Sequence, residues 1–305
     1  MDMYKKRKMR TEKKNNNQEE KLTKVGINWY PGHMVKAKRE IKERIKLIDI
    51  IYECIDARMP SSSKLKGMDD ILEAKPRILV MTKKDLCDLD ETNKWVKYYE
   101  EKGYKVILVD LTNNDDYKKL IKLTLEVAKP IQEKRVEKGL KSKEIKIGVV
   151  GIPNVGKSTL INKLAGKKVS NTGNKPGVTK QVNWLKTSNG FLLLDTPGIL
   201  WPKFEDQTVG LRLAFIGSIK DELSNQYELC MLLMQYLGEH YPKAIPDTYQ
   251  IEPAENEVEL LERVAKRRGC LKAGGEHDLD KAANYVIDDF RNGRLGCISL
   301  EQPEK

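Results

Sequence analysis

Two hydrophobic rhythms divide this chain. Between residues 48 and 195 short aliphatic runs recur: IDIIYECID at 48–56, RILVM at 77–81, KVILVD at 105–110, IKIGVVG at 145–151 and FLLLD at 191–195. Runs this short and continuous fit strands buried on both faces, and the longer stretches between them have helical character. Alternation of that kind predicts an α/β fold, a parallel sheet with helices on both faces. Beyond Pro202 the strand signal stops, and helical spacing predicts helices over 206–221, 225–238, 256–268 and 278–291. Ahead of the first strand, Met34, Ala37, Ile41, Ile45 and Ile48 also recur at helical spacing, with Lys36, Lys38, Arg39, Lys42 and Lys46 between them. This predicts an amphipathic helix with a basic outer face. Residues 1–24 have no such period and read as a disordered basic tail. The expected organisation is therefore a tail (1–24), a nucleotide domain (25–203) and a helical domain (204–305).

Charge adds a partner class. Lys and Arg outnumber Asp and Glu by 56 to 45, which favours a polyanion such as RNA over an acidic membrane surface. Candidate phosphate contacts in the helical domain are Arg212, Lys220, Arg263, Lys272, Arg291, Arg294 and the run Lys266-Arg267-Arg268. Each taken singly is equally well a solvated helix face, and only the run stands above that. The five cysteines are scattered with no CxxC pair, as expected of reduced thiols, and the three histidines sit at no zinc-ligand spacing to them. No segment approaches the roughly 20 apolar residues that span a bilayer. A cytoplasmic monomer with no membrane association is expected.

The chemistry concentrates in four loops. Gly151-Ile-Pro-Asn-Val-Gly156-Lys157-Ser158-Thr159 follows one strand and opens a helix, the full GxxxxGK[ST] pattern in its required context. Glycines let the backbone wrap phosphates, so that the N–H groups of Asn154, Val155, Gly156, Lys157, Ser158 and Thr159 face the anion, while Lys157 reaches the β and γ phosphates. Ser158 offers a hydroxyl to Mg²⁺. Some 40 residues on, Asp195-Thr-Pro-Gly198 ends a strand, placing a carboxylate for the magnesium shell and a glycine N–H for the γ-phosphate. Between them Thr179, in PGVT (176–179), suits a mobile switch that completes the magnesium ligands.

The fourth loop reads the base. Thr82-Lys83-Lys84-Asp85 follows RILVM and resembles the NKxD motif of GTPases, in which the Asp carboxylate accepts from guanine N1–H and the exocyclic amine while the Lys stem covers the ring. Adenine lacks that donor pair and would leave the carboxylate unpaired, so GTP and GDP are favoured over ATP. Thr82 stands where that motif has Asn, which removes an amide that ties the phosphate loop to the base site and is expected to loosen nucleotide binding. In chain order this reader precedes the phosphate loop, a circular permutation. The loops still meet, because each leaves the carboxyl edge of one parallel sheet.

With NWYPGHMVKAKRE (28–40), DARMP (56–60), DTPGILWPKFED (195–206) and FRNGRLGCISLE (290–301), these motifs resemble the circularly permuted, ribosome-associated GTPases over nearly the whole chain after the tail. That resemblance implies GTP hydrolysis, a precursor of the large ribosomal subunit (ribosomal RNA and proteins) as partner, and a C-terminal RNA-binding domain. It also implies that His33 polarises the attacking water, since Ile199 after the DxxG glycine cannot hydrogen-bond a nucleophile. Asn154 matches the asparagine that holds K⁺ in related GTPases, with turn stabilisation as the alternative. A nucleotide-gated RNA-binding or scaffolding module with negligible hydrolysis is the second reading, supported by the missing Gln and by Thr82.

Overall fold

The computed structural model describes residues 39, 42–65, 67–166, 184–195, 207–219, 221 and 224–303, with the backbone alone at 195 and 207. The aliphatic runs become strands β1 (Ile50–Asp56), β2 (Arg77–Thr82), β3 (Lys105–Leu108), β4 (Ile145–Val150) and β6 (Phe191–Asp195). They lie in the order β3-β2-β1-β4-β6, each parallel to its neighbours. A short strand β5 (Trp184–Lys186) adds antiparallel to β6 through a turn at Gly190, whose φ is +77°. Three residues, two partly buried and one exposed, are too few to show a period, so this edge strand leaves little trace in the sequence.

Successive side chains of a strand point to opposite faces, and β2 shows both faces occupied. Ile78 and Val80 join the buried cluster containing Leu120 and Ala128 of helix α3 (Asn114–Glu137). Leu79 and Met81 join Trp95 and Tyr99 of α2 (Leu89–Glu101). A one-turn α1 (Asp69–Leu72) precedes β2, and α4 (Lys157–Ala165) follows β4. Asp88 and Asn113 cap α2 and α3 by accepting from the first free N–H groups.

The second half of the chain is helical: α5 (Gln207–Phe215), α6 (Gln226–His240), α7 (Ala244–Tyr249), α8 (Glu257–Arg267) and α9 (Leu279–Arg291). Asn225, Asn256 and Asp278 cap α6, α8 and α9. Helix α5 stops well short of residue 221, because Gly217 turns the chain at a φ of +68°. Helix α7, a single six-residue piece after Pro242, is too short for periodicity to reveal. One buried cluster runs from Ile45 through β1, β4 and β6 to α5, α6, α8, α9 and Leu300, so the helices share apolar contact with the sheet.

Ile147 lies in β4, fully buried among these layers. Ile147→Ala should lower unfolding stability by about 2–5 kcal/mol through lost burial and the cavity left behind, read as a shift in urea midpoint at unchanged slope.

Candidate nucleotide site

The carboxyl edge of the sheet gathers the predicted loops. β2 ends at Thr82, β1 at Asp56, β4 at Val150 and β6 at Asp195, and these are consecutive neighbours in the sheet. The phosphate loop leaves β4 through Gly151, where an added Cβ would meet the Cys54 carbonyl oxygen at 2.5 Å. It enters α4 through Gly156, which has φ +88° and leaves room for Thr82, whose Oγ1 would be 3.3 Å from a Cβ there. Helix α4 presents its N-terminus, the positive end of the helix dipole, to the loop, which favours an anion. Lys157 is buried with Nζ 2.7 Å from the Ile152 carbonyl of the loop itself, Ser158 is half-buried and Thr159 exposed. Val155 is buried beneath the loop.

The tie between phosphate loop and base reader survives the replacement of Asn by Thr. Thr82 is fully buried, and its hydroxyl lies 2.6 Å from the Val155 carbonyl and 3.1 Å from that of Ile55. One hydroxyl proton suffices to bind the loop, so the expected loosening through a missing amide does not follow: a shorter side chain makes the bridge.

Lys83 sits at φ +59° at the start of a 3-10 turn, Lys84–Leu86, which carries the exposed Asp85. The Lys83 ammonium is held by Asp56, 2.9 Å away. Asp56 is fully buried and also takes a bidentate pair from Arg58, at 3.0 Å and 2.9 Å. Burial opposes its ionisation, but Arg58 and Lys83 outweigh that and hold the carboxyl well below the usual range. Arg58, almost wholly buried, then donates to the Phe290 carbonyl at 3.1 Å and stacks over the Phe290 ring. Asp56 and Arg58 anchor the TKKD loop in a way that periodicity and motif logic miss. Their only trace in the sequence is a charged pair closing an apolar strand, within the string DARMP (56–60).

The tip of the phosphate loop meets the helical half. Asn154, at φ +62°, donates its side-chain amide to the Gly217 carbonyl, and the Ser218 hydroxyl donates to the Pro153 carbonyl at 2.6 Å. In this structure the Asn154 amide thus ties the phosphate loop to the turn after α5. Asp195 closes β6 level with Val149 of β4. His33, Thr179 and Gly198 lie outside the described residues, as does Lys220.

Most of the basic candidates are engaged within the protein. Arg291 donates to the carbonyls of Ala214 and Phe215 and pairs with Asp221; Arg212 pairs with Glu301, and Arg294 with buried Asp289. Arg263 holds the Glu252 and Pro253 carbonyls and Glu259, and Lys272 stands near Asp278 and Asp280. Within the run 266–268, Arg267 donates to the Tyr249 carbonyl and Gln250, and Arg268 pairs with Asp289 while lying over Tyr249 and Tyr285. Lys266 is exposed beside Arg263 and Arg267 in one shallow pocket.

A parallel sheet bearing a GxxxxGKS loop after β4 and a TKKD reader after the earlier strand β2, the two joined by a buried hydrogen bond, defines a circularly permuted P-loop GTPase. The family described as 50S ribosome-binding GTPase matches residues 146–267, a span that begins just ahead of the phosphate loop and leaves out the reader. Ribosome biogenesis GTPase A of Bacillus cereus is 44% identical over 280 residues, covering 92% of this chain and 95% of that protein. The crystal structure of GNP-bound YlqF from T. maritima superposes with a TM-score of 0.64 at 29% identity, covering 88% of this chain and 99% of that one. The GDP-bound structure of YlqF gives 0.63 at 27% identity over 87% and 100%. The chain belongs to the ribosome biogenesis GTPase A family. It binds GTP and GDP and hydrolyses GTP, which sets aside the reading as a module without turnover. Among the described residues no helix is long and apolar enough to cross a membrane.

Two outcomes follow from this geometry. Thr82→Val keeps the shape but removes the donor to Val155, which should weaken GDP binding about 5- to 30-fold, the effect of about 1–2 kcal/mol for an orphaned carbonyl; Thr82→Asn should bind within a few-fold of wild type in the same nucleotide titration. Asp56 has a folded pKa below its unfolded value, so its contribution is complete above about pH 4 and is withdrawn as pH falls further. Asp56→Asn should flatten that acid limb when stability is measured by denaturant across pH.

Proposed function

We propose that this GTPase acts on a precursor of the large ribosomal subunit, binding ribosomal RNA and protein and hydrolysing GTP late in assembly. The family's description and its relatives' names support a ribosomal setting. The observation that carries the mechanism is the pair of contacts from Gly217 and Ser218 to Asn154 and Pro153. A phosphate loop held this way passes any rearrangement on loss of the γ-phosphate to the helical half. The permutation adds a second route, since Trp201-Pro202-Lys203 leads from the DTPG segment directly toward α5.

In this reading the backbone from Asn154 to Thr159, with Gly198, cradles the phosphates, and Lys157 pairs with the β and γ oxygens. Thr82, Lys83 and Asp85 read guanine, Asp85 accepting from its ring and exocyclic N–H groups. Ser158, Thr179 and Asp195 are hard oxygen donors of the kind Mg²⁺ takes, and the bound ion supplies charge neutralisation at the phosphates. K⁺ beside Asn154 would add to that, using the amide oxygen while the nitrogen stays on Gly217. His33 orients the attacking water in place of the Gln that Ile199 replaces. Residues 1–24 form a tail, 25–203 the nucleotide domain and 204–305 the RNA-binding domain of a cytoplasmic monomer. Lys266 and the donors of Arg267 and Arg268 not used internally contact RNA phosphates.

GTP turnover in potassium buffer should rise at least tenfold with purified large ribosomal subunits, and His33→Ala should abolish the rise while leaving GDP affinity within twofold. Stimulation indifferent to the mutation would remove His33 from the mechanism; no stimulation would remove the ribosomal particle.

A further inference from the structure

The string FRNGRLGCISLE (290–301) has no part in the phosphate chemistry, yet the structure lays it along the base reader. The turn carrying Asp85 is short and exposed, with one internal backbone bond from Leu86 N–H to the Lys83 carbonyl. Lys84 N–H donates to the Val109 carbonyl at 3.3 Å and its ammonium pairs with Asp116, while the side of the turn bearing Asp85 and Leu86 is fixed by residues 293–299. The Leu86 carbonyl accepts from Ile298 N–H at 3.0 Å, and the Asp85 carbonyl accepts from the Cys297 thiol at 3.7 Å. Asp88 N–H donates to the Ser299 hydroxyl at 3.1 Å. Gly293 lies so close to Leu86 that an added Cβ would meet its Cδ2 at 2.4 Å.

This strap is itself anchored. Leu300 N–H donates to the Arg58 carbonyl at 2.7 Å, beside the guanidinium that fixes Asp56 and hence Lys83. The buried Glu301 carboxylate accepts from the N–H groups of Ser61 and Ser62 at 2.7 Å and 3.0 Å and pairs with Arg212, while its carbonyl accepts from the Trp95 indole at 3.0 Å. Tyr236 donates to the Ser299 carbonyl and so joins the strap to α6.

We propose that residues 293–301 complete the guanine site, with Ser299 and Glu301 as positioning residues that set the Asp85 carboxylate against the base. The inference rests on Asp85 being the guanine reader. A carboxylate that must accept two N–H groups at once tolerates little displacement, and the bonds at Lys84 leave the carbonyls of Asp85 and Leu86 to be held by the strap. Loosening the strap therefore costs guanine more than hypoxanthine, which lacks the exocyclic amine.

The test compares GDP and inosine diphosphate (IDP) affinities of the full chain in wild type, Ser299→Ala and Glu301→Gln, alongside the melting temperature of each nucleotide-free protein. Wild type should prefer GDP, and Ser299→Ala should weaken GDP about 5- to 10-fold and IDP less than about 2-fold, the loss of the Ser299 hydroxyl's bonds to Asp88 and Thr92 acting through Asp85. Glu301→Gln supplies the same comparison should Ser299→Ala fail to fold. A GDP-to-IDP ratio equal to wild type in a folded variant, whatever its melting temperature, overturns the strap's role. A wild type without preference for GDP removes the base reader itself, and the strap's role with it.

Discussion

A carboxylate buried at the carboxyl edge of the sheet organises the base side of this protein. Asp56 has no access to solvent, so its charge must be met by protein cations, and the two that meet it are Lys83 and Arg58. Lys83 belongs to the TKKD loop (82–85). Arg58 reaches Phe290 in the last helix. Neutralising one charge thus locks together the loop after β2, the loop after β1 and the end of α9, three pieces that no local rule would associate.

Neighbourhood in the sheet, rather than order in the chain, decides what the loops can do together. β1 separates β2 from β4, yet the Thr82 hydroxyl reaches across to Val155 because both loops leave the same edge. Permuting the connections preserves that edge and changes what is joined to it. The strand bearing Asp195 leads on to the helical half, which returns to touch the phosphate loop at Pro153 and Asn154 and the base reader at Leu86. Both loops at this edge of the sheet therefore lean on the second half of the chain.

How much of this is visible in the residues depends on the range of the interaction. β1, β2, β4 and β6 are legible because burial on both faces demands continuous aliphatic runs, half-buried β3 because its aliphatic run is equally continuous, and the phosphate loop because its glycines, lysine and serine are adjacent in sequence. β5 and α7 are too short to show a period, and the early end of α5 depends on one glycine that turns to meet the phosphate loop. Charge is the least legible property. Arg212, Arg291 and Arg294 look like a solvated basic face, and each proves to neutralise a carboxylate or hold carbonyls whose identity only the fold discloses. Thr82 misleads in the opposite direction, since judged by residue type it loses a tie that its hydroxyl makes anyway.

The Asp88–Ser299 hydrogen bond joins positions 211 apart. During synthesis the TKKD turn leaves the ribosome with its phosphate-loop partner following soon after, but the Ser299 that fixes its far side is made 211 residues after Asp88. Closing so long a loop is slow compared with forming the neighbouring strands and helices. The newborn protein therefore passes through an interval in which the sheet can assemble while the turn at 84–88 still lacks its contacts to residues 293–299, and that side of the turn settles only after those residues have been made.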